Sequence, residues 1–210
     1  MLTVAIIVLA LDQFSKGLVV SILPSETALR DSSAEEFYEY QEYHRIKKEI
    51  RDAQTVEEEE TQRKKLEPFK GKFEIIVIEG FFSIIHRTND GAAFSILRGK
   101  NGMLAVISVI ALTCLIRFRH QFEYESTIGR YSFGLLIGGI IGNMLDRIFR
   151  GSVVDFIEIF IDQRDGNRLA WPAFNVADSA IVIGVFLLFI IAWREENKEE
   201  QEKEISPDEK

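Results

Sequence analysis

Asp155 and Asp178 are the residues of this sequence best suited to do chemistry. Asp155 ends the run Gly151-Ser152-Val153-Val154-Asp155, and Asp178 stands in Phe174-Asn175-Val176-Ala177-Asp178-Ser179, at the head of an otherwise apolar stretch. Two carboxyl groups brought together in a low-dielectric site cannot both ionise easily, so one keeps its proton. Such a pair hydrolyses amides: the ionised member takes a proton from water as the water attacks, and the protonated member donates to the developing oxyanion. A simpler account exists for Asp178, because Asn175 can cap a helix and an acid is favoured near its positive N-terminal end. That account does not cover Asp155.

Further polar residues interrupt apolar surroundings. Gly134, Gly138 and Gly142 recur every fourth residue, a stripe that lets membrane helices approach closely. Asn143, Asp146 and Arg147 follow at i, i+3 and i+4. Asn143 and Arg147 are suited to donate hydrogen bonds to a peptide backbone or polar lipid group, while Asp146 and Arg147 can equally pair or cap. Asp12 and Lys16, four residues apart, share a helical face on which they can neutralise each other. A structural ion pair and a supporting role in catalysis are both open for them.

The elements that must position these residues are uneven in composition. The chain has 210 residues, 47% hydrophobic and 28% charged, and its mean hydropathy of +0.03 hides a sharp division. Residues 25–72 carry 23 charged side chains and residues 194–210 carry 12. What remains holds four stretches fit to cross a bilayer: Met1 to Leu23, Met103 to Ile116, Tyr131 to Phe149 and Phe174 to Trp193. The first lacks the basic leading region of a signal peptide, and Asp12 and Lys16 interrupt its apolar run, so it reads as a retained span. Arg117, Arg119, Arg130, Arg194, Lys198 and Lys203 flank one side of the bundle, against Arg150, Arg164 and Arg168 on the other. This places both termini in the cytoplasm and the candidate acids near the opposite face.

Composition also excludes functions. A net charge of −8 without a clustered basic face is not that of a nucleic-acid binder. A single cysteine, Cys114, forbids an internal disulfide framework, and His44, His86 and His120 are scattered without a zinc-protease motif, so no metal is expected. Within residues 25–72, Ser32-Ser33-Ala34-Glu35-Glu36 has the form of a capping box, followed by Phe37, Tyr40, Tyr43, Ile46, Ile50 and Ala53 at helical spacing. The spacing predicts a charged amphipathic helix outside the membrane, then a turn at Glu57 to Glu60. Phe73 to Phe82 reads as a strand or hairpin arm resting on the bilayer surface, and Val153 to Phe156 as a short extended segment.

Five blocks together resemble the bacterial lipoprotein signal peptidases, signal peptidase II. They are Asp12-Gln13-Phe14-Ser15-Lys16, Asn89-Asp90-Gly91-Ala92-Ala93-Phe94, the run from Gly138 to Arg147, Val153-Val154-Asp155-Phe156, and Phe174 to Ser179. The resemblance implies a membrane aspartyl endopeptidase of four transmembrane helices, with a small extracytoplasmic β-element at 73–101 and a charged, helical extracytoplasmic insertion at 25–72. The first helix then occupies 1–24, the other three and the catalytic segments 102–193, and a charged cytoplasmic tail 194–210. By the same resemblance the enzyme removes signal peptides from diacylglyceryl-modified prolipoproteins, cutting before the lipidated cysteine. Asp155 and Asp178 would be catalytic, Asn143, Arg147 and Asn175 substrate-binding, and Asp12, Lys16, Asn89 and Asp146 supporting. No metal or cofactor is implied. The expected partners are the prolipoprotein and membrane lipids, with the enzyme a monomer in the bacterial inner (cytoplasmic) membrane.

Two departures stand out. Residues 25–72 replace a short connection of the family pattern, and the chain enters its first span without the short leading tail expected. Two other classes compete with the protease. A proton-coupled carrier also uses intramembrane acids, but a relay needs them distributed across the membrane. A scaffold whose ion pairs only lock the bundle would tolerate Asp155→Asn.

Overall fold

A computed structural model describes residues 1–91, 97, 99–122, 126–162 and 168–205. Ala92, Ala93 and Phe94 of the second sequence block lie outside them. The chain forms two compact units, with the long helix α1 (Leu2–Ile22) contributing residues 2–13 to the first and its remainder to the second.

The first unit is helical. Besides the start of α1 it contains α5 (Asn101–Arg117), α6 (Thr127–Phe149) and α7 (Val176–Ile205). Helix α6 begins where Ser126 accepts a hydrogen bond from the Gly129 N–H, as an N-cap should. It ends before Gly151, whose φ of +75° only glycine adopts without strain. The glycines of α6 explain its packing. A Cβ on Gly138 would lie 2.7 Å from the Ala5 carbonyl oxygen, and one on Gly134 2.6 Å from Val4 Cβ. A Cβ on Gly139 would meet the Ala177 carbonyl oxygen at 2.5 Å. Small residues thus bring α6 against α1 on one side and α7 on the other, the close approach on which helix association in lipid relies. Ser132 adds a 2.8 Å hydrogen bond to the Gly184 carbonyl.

The outer surfaces of these helices are apolar. Ile6, Ile7 and Leu11 on α1, Val106 and Ile110 on α5, and Val182, Phe186 and Phe189 on α7 are all exposed. In water such a surface would drive association, whereas in a bilayer it is solvated. Among the described residues, three stretches are long and apolar enough to cross a membrane: Leu2–Arg30, Thr127–Phe149 and Val176–Arg194. Helix α5 is also apolar but has 17 residues. Helix α7 continues through the charged tail to Ile205.

Besides the rest of α1, the described residues of the second unit form three α-helices and an antiparallel sheet. Ser25, Ser33 and Thr55 cap α2 (Glu26–Arg30), α3 (Ala34–Asp52) and α4 (Val56–Leu66) by accepting from the N–H groups of Ala28, Glu36 and Glu58. Where the sequence predicts a turn at Glu57 to Glu60, the chain is helical. Thr55 supplies the cap, three acids occupy the first turn and three bases the last, the charge order that a helix dipole favours. Leu29, Tyr43 and Phe73 form a small core with Tyr40, Leu66 and Phe69 against it.

The sheet has the order β1-β2-β3-β4. Strands β1 (Glu74–Ile78) and β2 (Phe82–Asn89) form a hairpin whose turn uses Gly80 at φ +74°. Strand β3 (Val153–Asp162) lies between β2 and β4 (Arg168–Ala170), and its register sets Arg87 opposite Asp155 and Asn89 opposite Val153.

Glu74 fastens α3 to this sheet. Its carboxylate pairs with Lys47 and accepts a 2.6 Å hydrogen bond from Tyr43 Oη. Burial by itself pushes the Glu74 carboxyl up, but the Lys47 charge and hydrogen bonds from Lys47, Tyr43 and Ser83 outweigh it, holding the group down at about 2 against 4.5 for an ordinary glutamate. Because the folded value is the lower one, the stabilisation is complete above pH 4.5 and is lost as pH falls toward 2. Lys47→Met should therefore destabilise this unit by about 3 kcal/mol at neutral pH, since it strands a buried charge. The difference from wild type should shrink as the pH drops below 4.5, measured as hydrogen-exchange protection across α3 and β1.

Candidate active site

Asp155 sits near the start of β3, 2% exposed, and both of its oxygens receive amide donors. Asn89 Nδ2 donates to Oδ2 at 2.9 Å, and Asn175 Nδ2 donates to Oδ1 at 2.8 Å and to the Val154 carbonyl at 3.3 Å. Strand pairing brings these residues together. The β2–β3 register places Asn89 beside the start of β3. On the other flank the Phe156 and Ile157 N–H groups donate to the Phe174 carbonyl at 3.0 and 2.8 Å, and the Phe174 N–H donates to the Ile157 carbonyl at 3.1 Å. This bridge delivers the next residue, Asn175, to the carboxylate. Asn89 also accepts from the Gly91 N–H at 3.0 Å, so the turn after β2 is held by a side chain. Two donors, one on each oxygen, suit a carboxylate that acts as an acceptor.

In the helical unit, Asp178 lies half-buried in the first turn of α7, and Asn143 Nδ2 of α6 donates to its Oδ1 at 2.7 Å. Arg147, one turn further along α6, donates from Nη1 to the Asn143 carbonyl at 3.1 Å. Asn143 and Asn175, both expected on substrate, thus each hold an aspartate.

A second polar cluster supports α7. Asp12 is fully buried and its Oδ1 accepts the Ala177 N–H at 3.0 Å. That N–H belongs to the first turn of α7, where no intrahelical carbonyl is available. The acceptor for this N–H is thus a side chain of α1. Gln13 Nε2 lies 3.1 Å from Asp12 Oδ2, 3.2 Å from the Gly142 carbonyl and 3.3 Å from Asp146 Oδ1. Arg150 pairs with Asp146 and donates to Gln13 Oε1 at 2.8 Å. Lys16, equally buried, lies one turn beyond Asp12 in the part of α1 that belongs to the other unit.

Sequence reasoning missed Gln13 and Arg150 as members of this cluster. Arg150 could have been found, since it stands four residues from Asp146 and therefore on the same helical face. Gly142 has a specific duty here, because a Cβ on it would lie 2.6 Å from Asp12 Oδ2. Among the described residues, no group of three His, Cys, Asp or Glu side chains could hold a metal ion.

Apolar outer surfaces on several long helices define a multi-pass membrane protein. Two solved structures, each described as a bacterial membrane enzyme studied by the in meso method, share the fold. One, at 2.3 Å resolution, gives a TM-score of 0.62 at 24% identity and covers 93% of this chain and 88% of its own. The other, at 1.9 Å, gives 0.57 at 25% identity, covering 90% and 88%.

The sequence pattern of the family described as Signal peptidase (SPase) II matches residues 54–194, so the chain belongs to that family. It is 38% identical over 122 residues to a lipoprotein signal peptidase of Syntrophotalea carbinolica, spanning 57% of this chain and 73% of that one. With the lipoprotein signal peptidase of Halothermothrix orenii it shares 36% identity over 131 residues, 62% of this chain and 83% of the relative.

Two substitutions test the roles of these neighbours. Asn175→Ala removes one donor from a charged acceptor and should lower kcat about 10- to 100-fold with the fold retained, read in a cleavage assay beside a melting curve. Gly142→Ala should push against Asp12 and lose about 1–3 kcal/mol of stability, seen as a lower Tm in detergent.

Proposed function

We propose that this protein is an aspartyl endopeptidase that removes signal peptides from diacylglyceryl-modified prolipoproteins, with Asp155 and Asp178 as its catalytic pair. The observation that carries the reading is the treatment of the two acids. Each is held by the amide of an asparagine, Asp155 by Asn89 and Asn175, and Asp178 by Asn143. The chain itself ties them: Asn175 contacts Asp155 and stands three residues before Asp178.

The chemistry needs no other group. Asp155, as the carboxylate, takes a proton from water while the water oxygen bonds to the scissile carbonyl carbon. Asp178, as the carboxylic acid, donates a hydrogen bond and then its proton to the oxyanion. Collapse of the tetrahedral intermediate breaks the C–N bond. The amine of the lipidated cysteine leaves with the proton held by Asp155, and the carbonyl re-forms as its proton returns to Asp178. The pair ends as it began.

A signal-peptide helix hides its carbonyls in internal hydrogen bonds, so the cleavage region must be unwound and held extended. Arg147, together with the polar end of α6, holds that backbone in this reading. Helix α5, at 17 residues, serves as the fourth transmembrane helix with Arg117 snorkelling at its end. The enzyme acts as a monomer in the bacterial inner membrane with its acids near the extracytoplasmic face. The exposed Ile76, Val77, Ile78 and Phe81 of the hairpin rest on the bilayer surface there.

Purified protein in detergent or lipid should cleave a diacylglyceryl-modified prolipoprotein immediately before the modified cysteine. Asp155→Asn and Asp178→Asn should each reduce kcat by about 10³-fold or more with unchanged melting. Normal cleavage by either variant removes that residue from the pair.

A further inference from the structure

The sheet-bearing unit contains a cavity of about 460 Å³ that lies on β2 and is walled by α2 and α3. Residues Ile85, His86, Arg87 and Thr88 of β2 line it, and the next residue along the strand is Asn89, which holds Asp155. At about 3.4 Å per strand residue, the lined stretch runs from roughly 3 to 14 Å beyond Asn89. We infer that this cavity is a subsite for the mature chain of the substrate, taking the polar segment two to five residues after the lipidated cysteine. The inference rests on the proposed cleavage reaction, which leaves that segment attached to the bond being cut.

The lining favours a peptide over a small ion. Its charges are already matched in sign: Arg30 pairs with Glu26 at 2.6 Å, Lys47 with Glu74, and Arg87 lies 3.8 Å from Glu158. A compact anion or cation therefore meets no net field. Guanidinium groups carry five N–H donors each and carboxylates about four acceptor sites, so the wall offers both donors and acceptors. An extended backbone presents both N–H and C=O groups to it. Tyr40 adds an apolar ring whose phenol is kept neutral, since burial first and then the Glu26 charge push it up. The volume falls in the range of about 300–1,000 Å³ typical of built binding pockets, enough for a few residues of chain.

The test uses the full-length enzyme in detergent and two diacylglyceryl lipopeptides with one signal sequence. One ends at the residue after the modified cysteine, and the other continues for ten polar residues. Arg30→Glu and Thr27→Trp change exposed positions at the cavity mouth. The wild type should show a KM for the long substrate about tenfold below that for the short one. Each variant should raise the long-substrate KM to the short-substrate value, with kcat on both substrates as in wild type. Equal wild-type KM values for the two substrates, or a long-substrate KM that neither variant moves, overturns the subsite and leaves the cleavage reading standing. A wild type that cuts neither substrate overturns the cleavage reading, and the subsite falls with it.

Discussion

A carboxylate withdrawn from water must be given hydrogen-bond donors by the protein, and the arrangement of this chain follows from meeting that demand several times over. Asp12 takes the Ala177 N–H, Asp146 takes Arg150, Asp155 takes two asparagine amides, and Asp178 takes one. Each donor fixes an element. The Asp12 contact sets where α7 begins, because it satisfies an N–H that a helix cannot satisfy internally. The Asn89 contact fixes the β2–β3 register, because a slip of one residue would turn its amide to the opposite face of the sheet.

Carboxylates are held here in two ways, by amides and by bases. Amides are chosen at positions 89, 143 and 175 where bases would form ion pairs with the acids. An asparagine donates without carrying charge, so it orients a carboxylate without forming an ion pair with it. Arg150 and Lys47 are the contrast. They pair fully with Asp146 and Glu74, and those acids act as fasteners.

The charged segment at 25–72 is structured through the same logic at smaller scale. Its three helices each start at a hydroxyl cap, and their common core is a handful of aromatic and aliphatic side chains. A core this small cannot carry much stability alone, and the buried Lys47–Glu74–Tyr43 cluster pins α3 to β1. The segment thereby becomes a wall against the strand that leads to Asn89.

Much of this was legible in the sequence. Apolar length marked the three described stretches long enough to span, the repeat of Gly134, Gly138 and Gly142 marked the close face of α6, and Ser33 with Glu36 marked the start of α3. These are local signals, carried by periodicity and by residues a few positions apart. The sequence blocks marked Asp155, Asp178 and the asparagines as candidates for the chemistry, yet not which amide holds which acid. Asp12 and the Ala177 N–H are 165 positions apart, and Asn89 and Asp155 are 66 apart. No spacing rule reaches across such separations, because a hydrogen bond is decided by where packed helices and registered strands deliver its two ends. The sequence by itself determined which residues are too costly to bury without a purpose, and only the tertiary structure decided which partner answers each of them.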